Sequence, residues 1–205
     1  MAAEADRPAV ASDPQAVGTR RRGETLERAI YDAVLDELQR VGLTGLTMEG
    51  VAGCARTGKA ALYRRWPGKE DQVVDALDHS LPRLDDLPDH GNLRDDLLDL
   101  LRRMTATMNS RTGCALQALM SEIDQDHPFA RLLKERVFQP RKQWIVALLD
   151  RAVERGEVRP DVATAMVAEV GPAMVAQRFH ADGPPVPDNY VVSVVDDVVM
   201  PLLQP

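Results

Sequence analysis

From Leu26 to Leu202 the apolar residues of this chain return every three or four positions, and that period narrows most sharply what it can fold into. In "GETLERAIYDAVLDELQRVG" the residues Leu26, Ala29, Ile30, Ala33, Val34, Leu38 and Val41 make one stripe along a helix, closed by Gly42. "LRDDLLDLLRRMTATM" repeats the pattern with Leu93, Leu97, Leu100, Leu101, Met104 and Met108. The one segment that could be a strand is "NYVVSVVDDVVMPLL", rich in β-branched valines. There Val191, Val194, Val195, Val198 and Leu202 keep the helical spacing, and Asp196-Asp197 breaks strict alternation. No second strand candidate exists for it to pair with, so the fold class is all-α.

Breakers divide the helices. Thr47 stands at an N-cap position before "MEGVAGCA", and "RTG" separates that short helix from "KAALYRRW", which Pro67-Gly68 ends. "PRLDDLPDHGN" marks a domain boundary. Residues 1–22 form a disordered lead ending in the basic Arg20–Arg22 arm, 23–81 a head with its connecting helix, and 82–205 a second helical domain. Pro140 should kink or split a long helix from Phe129 to Arg155, with Gly156 as its C-cap. Asp161 is the expected N-cap of the next helix, which Gly171-Pro172 should interrupt.

Charge is distributed unevenly. The chain has formal charge -7, yet twenty residues between Glu49 and Glu70 carry no acid and include Arg56, Lys59, Arg64, Arg65 and Lys69. Residues 19–69 hold ten Lys/Arg against six Asp/Glu, and 82–205 hold fourteen against nineteen. Two short helices joined by a tight turn inside a basic window are the helix-turn-helix pattern. Leu46, Val51, Ala52, Leu62 and Trp66 should pack inward, leaving Lys59, Ala60, Tyr63 and Arg64 toward solvent or DNA. A purely basic face there avoids repelling phosphates and gains from counterion release.

The window resembles the DNA-binding region of the TetR family of transcriptional regulators, densely from Glu24 to Leu77, with "LYRRWPGKE" its most specific portion. The resemblance implies about nine helices, a homodimer on double-stranded operator DNA, and repression until a small-molecule effector binds. It makes Lys59, Ala61, Tyr63 and Arg64 the recognition-helix contacts, with Thr47 and Lys69 on the backbone at helix N-termini. The chain departs from the family at Ala55-Arg56-Thr57, where a glycine commonly stands, and at Ala61, where a Thr often does. Ala61 can touch a thymine methyl but cannot hydrogen-bond a base edge. Arg56, Thr57 or the Arg20–Arg22 arm would supply further contacts, the arm from a minor groove.

In the second domain the resemblance implies an effector cavity, for which Met104, Met108, Leu116, Met120, Trp144, Met174 and Phe179 are the candidates. With 4% aromatic residues, an aliphatic or mixed effector fits better than a stacked one. Dimerisation would use Met166 and Val170 of one helix and Val191, Val195, Val198 and Val199 of the terminal one. The four histidines lack metal-ligand spacing, and Cys54 and Cys114 stand far apart without a CxxC partner. No GxSxG, P-loop or GxGxxG occurs, so neither catalysis nor a cofactor is expected. No apolar run reaches the ~18–20 residues of a membrane span, and the start lacks a secretion signal. The cytoplasm is therefore expected. Two alternatives stay open: a regulator that activates or needs no effector, and a helical ligand-binding or enzymatic protein whose head no longer reads DNA.

Overall fold

The computed structural model describes residues 14–82, 88–124 and 126–203, with side chains from Gly23 onward. Among the described residues there is no strand. Helix α1 runs Pro14–Gly45, α2 Met48–Cys54, α3 Lys59–Tyr63 and α4 Lys69–Ser80. Then come α5 Leu93–Met108, α6 Arg111–Glu122 and α7 Pro128–Leu133, and α7 continues through a π turn at Lys134–Phe138 into α8 Gln139–Glu154. Helix α9 is Ala165–Asp182, and α10 Asp188–Ser193 runs through a second π turn, Val194–Val199, into α11 Met200–Leu203. Counting each π-joined pair as one gives nine helices among the described residues. No helix among them is long and apolar enough to cross a membrane.

Pro14 opens α1, a position where its missing N–H is not needed. Residues 14–22, assigned from the sequence to a disordered lead, thus have helical backbone, because nothing after Pro14 breaks the helix before Gly42. The expected minor-groove role of Arg20–Arg22 lies outside the described side chains, and residues 1–13 lie outside the described chain. Gly42 bends the end of α1 at φ 67, and residues 43–45 turn toward α2.

Proline explains both π turns. Pro140 and Pro201 cannot donate to the carbonyl four residues back, and their rings crowd it. In each case the preceding turn widens to the five-residue register, ending two positions before the proline. Pro172 does not have this effect. Helix α9 passes through Gly171-Pro172 without a break, contrary to the sequence expectation. Gly171 is buried, and a Cβ there would meet Leu101 of α5 at 3.3 Å and Val199 at 3.4 Å. Helix α9 thus stays continuous across the proline where it packs against α5 and the terminal helix. Its N-cap is Thr164, whose hydroxyl accepts from the Val167 N–H, rather than Asp161.

Two cores form. One unites Ile30, Val34, Leu38, Leu46, Val51, Leu62, Trp66, Val73 and Leu77 of α1–α4 with Ala115, Leu119, Phe129, Leu133 and Val137. The other holds Leu93, Leu97, Leu101, Leu148, Val175, Phe179, Val191, Val195 and Val199. The loop after Ser80 therefore separates segments of sequence, but α6 and α7 pack with the head.

Candidate nucleic-acid interface and ligand cavity

The turn between α2 and α3 is built by backbone hydrogen bonds. Thr47 caps α2, its hydroxyl accepting from the Gly50 N–H at 3.0 Å. At the other end the Arg56 N–H donates to the Gly53 carbonyl and the Thr57 N–H to the Ala52 carbonyl. These two bonds make a Schellman closure, which needs a left-handed residue between them. Arg56 takes that conformation at φ 52, the one positive φ on a non-glycine among the described residues. The turn has kept its shape without its glycine.

Past Gly58, α3 hides Leu62 and shows Lys59, Ala60, Tyr63 and Arg64, with Ala61 and Thr57 half-buried and Tyr63 52% exposed. Trp66 is buried, its Nε1–H donating to Asp75 Oδ2 at 2.7 Å and its ring edge-on to Tyr31. That anchor makes Trp66 a core residue and fixes the inner side of α3. Burial and the nearby Glu27 push the Tyr31 phenol up to about 12. Two features were not legible in the sequence. Glu49 of α2 comes within 3.6 Å of the Lys59 ammonium, so the basic face has one acid at its border. Lys69 directs its ammonium inward, to the carbonyls of Leu43 at 2.7 Å and Leu46 at 3.1 Å. Its side chain is therefore not free for phosphate, and only the uncapped N–H groups of the first turn of α4 remain for that role. The other face of the 43–46 turn is held by α6: Glu122 Oε2 accepts from Leu43 N–H at 2.9 Å and Thr44 N–H at 3.2 Å.

Behind the head, a cavity of about 480 Å³ opens among the end of α4, α5, α6, α8 and α9. Met104, Met108, Leu116, Met120 and Phe179 line it as expected. Trp144 and Met174 do not. On α8 the register turns Arg141, Lys142 and Ile145 to the cavity, while Trp144 lies half-buried against the Arg141 guanidinium, 5.8 Å from its ring centre. On α9, Pro172, Ala176, Phe179 and His180 share the lining side, and Met174 points away, its carbonyl accepting from the Tyr190 hydroxyl. A smaller polar cleft of about 370 Å³ lies between α1, α4 and α6, lined by Arg28, Tyr31, His79 and Arg111 among others.

The expected dimer residues separate into two groups. Val191, Val195 and Val199 are buried within their own protomer, so they are not available to a partner. Met166 is 81% exposed, and Val170 and Val198 are half-exposed. Leu202, absent from the expected set, is 47% exposed beside them in sequence. No cluster of three or more metal-ligating side chains occurs among the described residues.

With this geometry in place, similarity to known proteins follows the same division. A family model described as "Bacterial regulatory proteins, tetR family" matches residues 30–75, and one described as "Tetracyclin repressor-like, C-terminal domain" matches 87–198. The chain is 30% identical over 185 residues to the DNA-binding transcriptional repressor TetR of Mycobacteroides abscessus, covering 90% of this chain and 97% of that one. It is also 30% identical over 199 residues to an HTH-type transcriptional regulator of Mycobacterium tuberculosis, covering 97% and 94%. Among solved structures, the TetR family transcription regulator SCO0332 superposes with a TM-score of 0.69 at 28% identity, over 88% of this chain and 99% of that one. NalD, the secondary repressor of the MexAB-OprM multidrug efflux pump in Pseudomonas aeruginosa, shares the fold with a TM-score of 0.66 at 16% identity, over 89% and 97%.

Proposed function

Because the chain belongs to the TetR family of transcriptional regulators, we propose that this DNA-binding regulator is a homodimeric repressor released from a palindromic operator by a small molecule held in the α4–α9 cavity. One observation carries the DNA-reading half of this proposal. The basic window folds into a closed α2–turn–α3 unit, with Glu49 as the one acid at its border, that buries Leu62 and Trp66 and presents Lys59, Tyr63 and Arg64 outward. Lys59 and Arg64 meet phosphates, Tyr63 donates its hydroxyl to one, and Ala60 and Ala61 allow close approach to base edges. Thr47 adds a backbone contact from the α2 N-terminus, and Arg56 and Thr57 add theirs from the turn.

Two copies meet through the exposed apolar residues of α9 and the terminal helix: Met166, Val170, Val198 and Leu202. In such a dimer the recognition helices reach successive major grooves about 34–36 Å apart. An effector that prefers a dimer with a different head separation releases DNA to the extent of that preference.

Capture of sheared DNA from the protein's own genome at moderate salt, followed by sequencing, tests the reading. Enrichment of one or a few palindromic sites is expected. Retention without enrichment, vanishing as salt rises, would mean that the window attracts phosphates but does not read bases. The dimer face is checked by sedimentation: Met166→Glu with Val198→Glu should give monomers, and an unaltered dimer would place the interface elsewhere.

A further inference from the structure

The charged side chains beside the cavity turn their charge away from it. Arg103, Arg141 and Lys142 reach its edge with their carbon stems, and each head group is engaged elsewhere. Arg103 Nε donates to Asp99 at 3.1 Å and Lys142 Nζ to Glu169 at 2.7 Å, both pairs open to water. Arg141 Nη1 donates to the Val137 carbonyl at 2.7 Å and to Asp78 at 3.1 Å. The one buried donor among these head groups without a partner in the described residues, Arg141 Nε, belongs to a guanidinium whose charge Asp78 already meets. Among the described residues no Asp or Glu lines the cavity.

The neutral polar groups are no better placed to hold a ligand. Thr107 Oγ1 donates to the Arg103 carbonyl one turn back at 2.8 Å, so its hydroxyl is used within α5. Gln117 and His180 are exposed side chains, and the His180 ring lies edge-on to Phe179. What faces the space is apolar almost throughout, with Met104, Met108 and Met120 beside Leu100, Leu116 and Ile145. Thioethers and aliphatic carbons adapt to a ligand's shape and offer it dispersion rather than charge. At about 480 Å³ the space lies within the ~300–1,000 Å³ of small-ligand pockets. A charge carried into it loses its water and finds no counter-charge, whereas an aliphatic body gains from each contact.

We infer that the effector is an uncharged, largely aliphatic molecule, held among the methionines and leucines by shape and burial without an ionic anchor. This rests on the reading of the cavity as the effector site. The selectivity comes from the cost of desolvating a charge, not from a residue that recognises one, so it acts against anions and cations alike.

Isothermal titration of the full chain with three matched compounds tests it: dipentyl ketone, dipentylacetate and dipentylammonium. Each carries its functional group in the middle of the chain, so a charge cannot stay in water at the mouth while the chain enters. The ketone should bind at least about tenfold tighter than either ion. In Met104→Glu the ratio of ketone to ammonium affinity should fall at least about tenfold, because a carboxylate then stands in the wall. Because the ratio is taken within one protein, partial loss of folding does not imitate the result. Equal or tighter binding of either ion, no binding by any of the three, or a ratio that Met104→Glu leaves unchanged would overturn the inference. Operator retention, measured on the same preparation, stands apart from these outcomes: a protein that holds its operator but binds none of the three rejects the ligand class and leaves the DNA reading intact. Ketone binding that leaves the operator occupied supports the ligand class and rejects release.

Discussion

Arg56 holds a conformation that disfavours a side chain, and its sequence neighbours give the reason: the α2 closure needs a left-handed residue and no glycine is present. For an L-residue that region costs about 1–2 kcal/mol. Arg56→Gly should therefore raise stability in urea by about 0.5–1 kcal/mol, the relief being partly offset by the greater freedom of glycine in the unfolded chain. The same substitution should reduce the slope of log affinity against log salt by about one phosphate contact. A stability gain with an unchanged slope would remove Arg56 from the DNA face, and a stability loss would mean that the arginine side chain holds the turn. Gln72 is the second anomaly at this scale. It is fully buried in α4, and neither end of its amide meets a partner among the described residues. Gln72→Met keeps the shape and removes the unmet donors and acceptor, so unfolding should become harder by about 1 kcal/mol. A destabilised variant would reveal a buried water bonded to the amide.

Helices α1, α4 and α6 meet at the 43–46 turn, where Lys69 holds the carbonyls and Glu122 the N–H groups. Gly42 makes this possible: a Cβ there would lie within 1.6 Å of Glu122 Oε1, and the residue has positive φ. Gly42→Ala should cost more than the about 1–2 kcal/mol of the backbone conformation alone, and Glu122→Ala about 1–2 kcal/mol for its lost hydrogen bonds. Made together they should cost less than their sum, because the second removes the clash created by the first. Additivity to within about 0.5 kcal/mol would show that the two residues do not meet. At this scale the sequence was informative about what each helix is and less so about what it faces. The period of three and four located α1 and α5, caps and breakers placed α2 and α3, Gly42 and Gly156 marked the ends of their helices, and Pro140 marked the first π turn. The same period showed an apolar stripe on the terminal helix but not which neighbour covers it, so Val191, Val195 and Val199 pointed equally well to a partner or to α5 and α9. Trp144 and Met174 lost their expected place for a related reason, since hydrophobicity gives a side chain a buried position without saying on which side of its helix. Arg103, Arg141 and Lys142 escaped notice as neighbours of the cavity because a cation on an amphipathic helix reads as solvated surface, and here its carbons rather than its charge meet the wall.

Over the whole molecule, ion pairs link elements distant in sequence. Arg94 reaches Asp196 at 2.6 Å and Arg102 reaches Asp188 at 2.7 Å, fastening α5 to both parts of the terminal helix, while Arg155 gathers Asp89, Asp96 and Glu157 at the N-terminal end of α5. Hydrogen bonds from Arg102 and Arg94 hold the Asp188 and Asp196 carboxyls below the usual range, the Gly91 N–H does so for Asp89, and Arg40 does so for Glu37. A carboxyl with a lower pKa in the folded state gives stability that is present above its unfolded pKa and lost as pH falls through the folded one. With unfolded values of about 3.9 for Asp and 4.3 for Glu, the urea midpoint should vary little from neutral pH down to about pH 5 and fall below about pH 4. General charge repulsion acts on the same limb, so the pairs are isolated by comparison. Asp188→Asn with Asp196→Asn should lower the midpoint slightly at neutral pH, since both pairs are exposed and screened by solvent, and should make the fall toward about pH 3 shallower than in the parent protein. Parallel acid limbs for the two proteins would show that α5 and the terminal helix are held by their buried leucines and valines alone, with the ion pairs adding nothing.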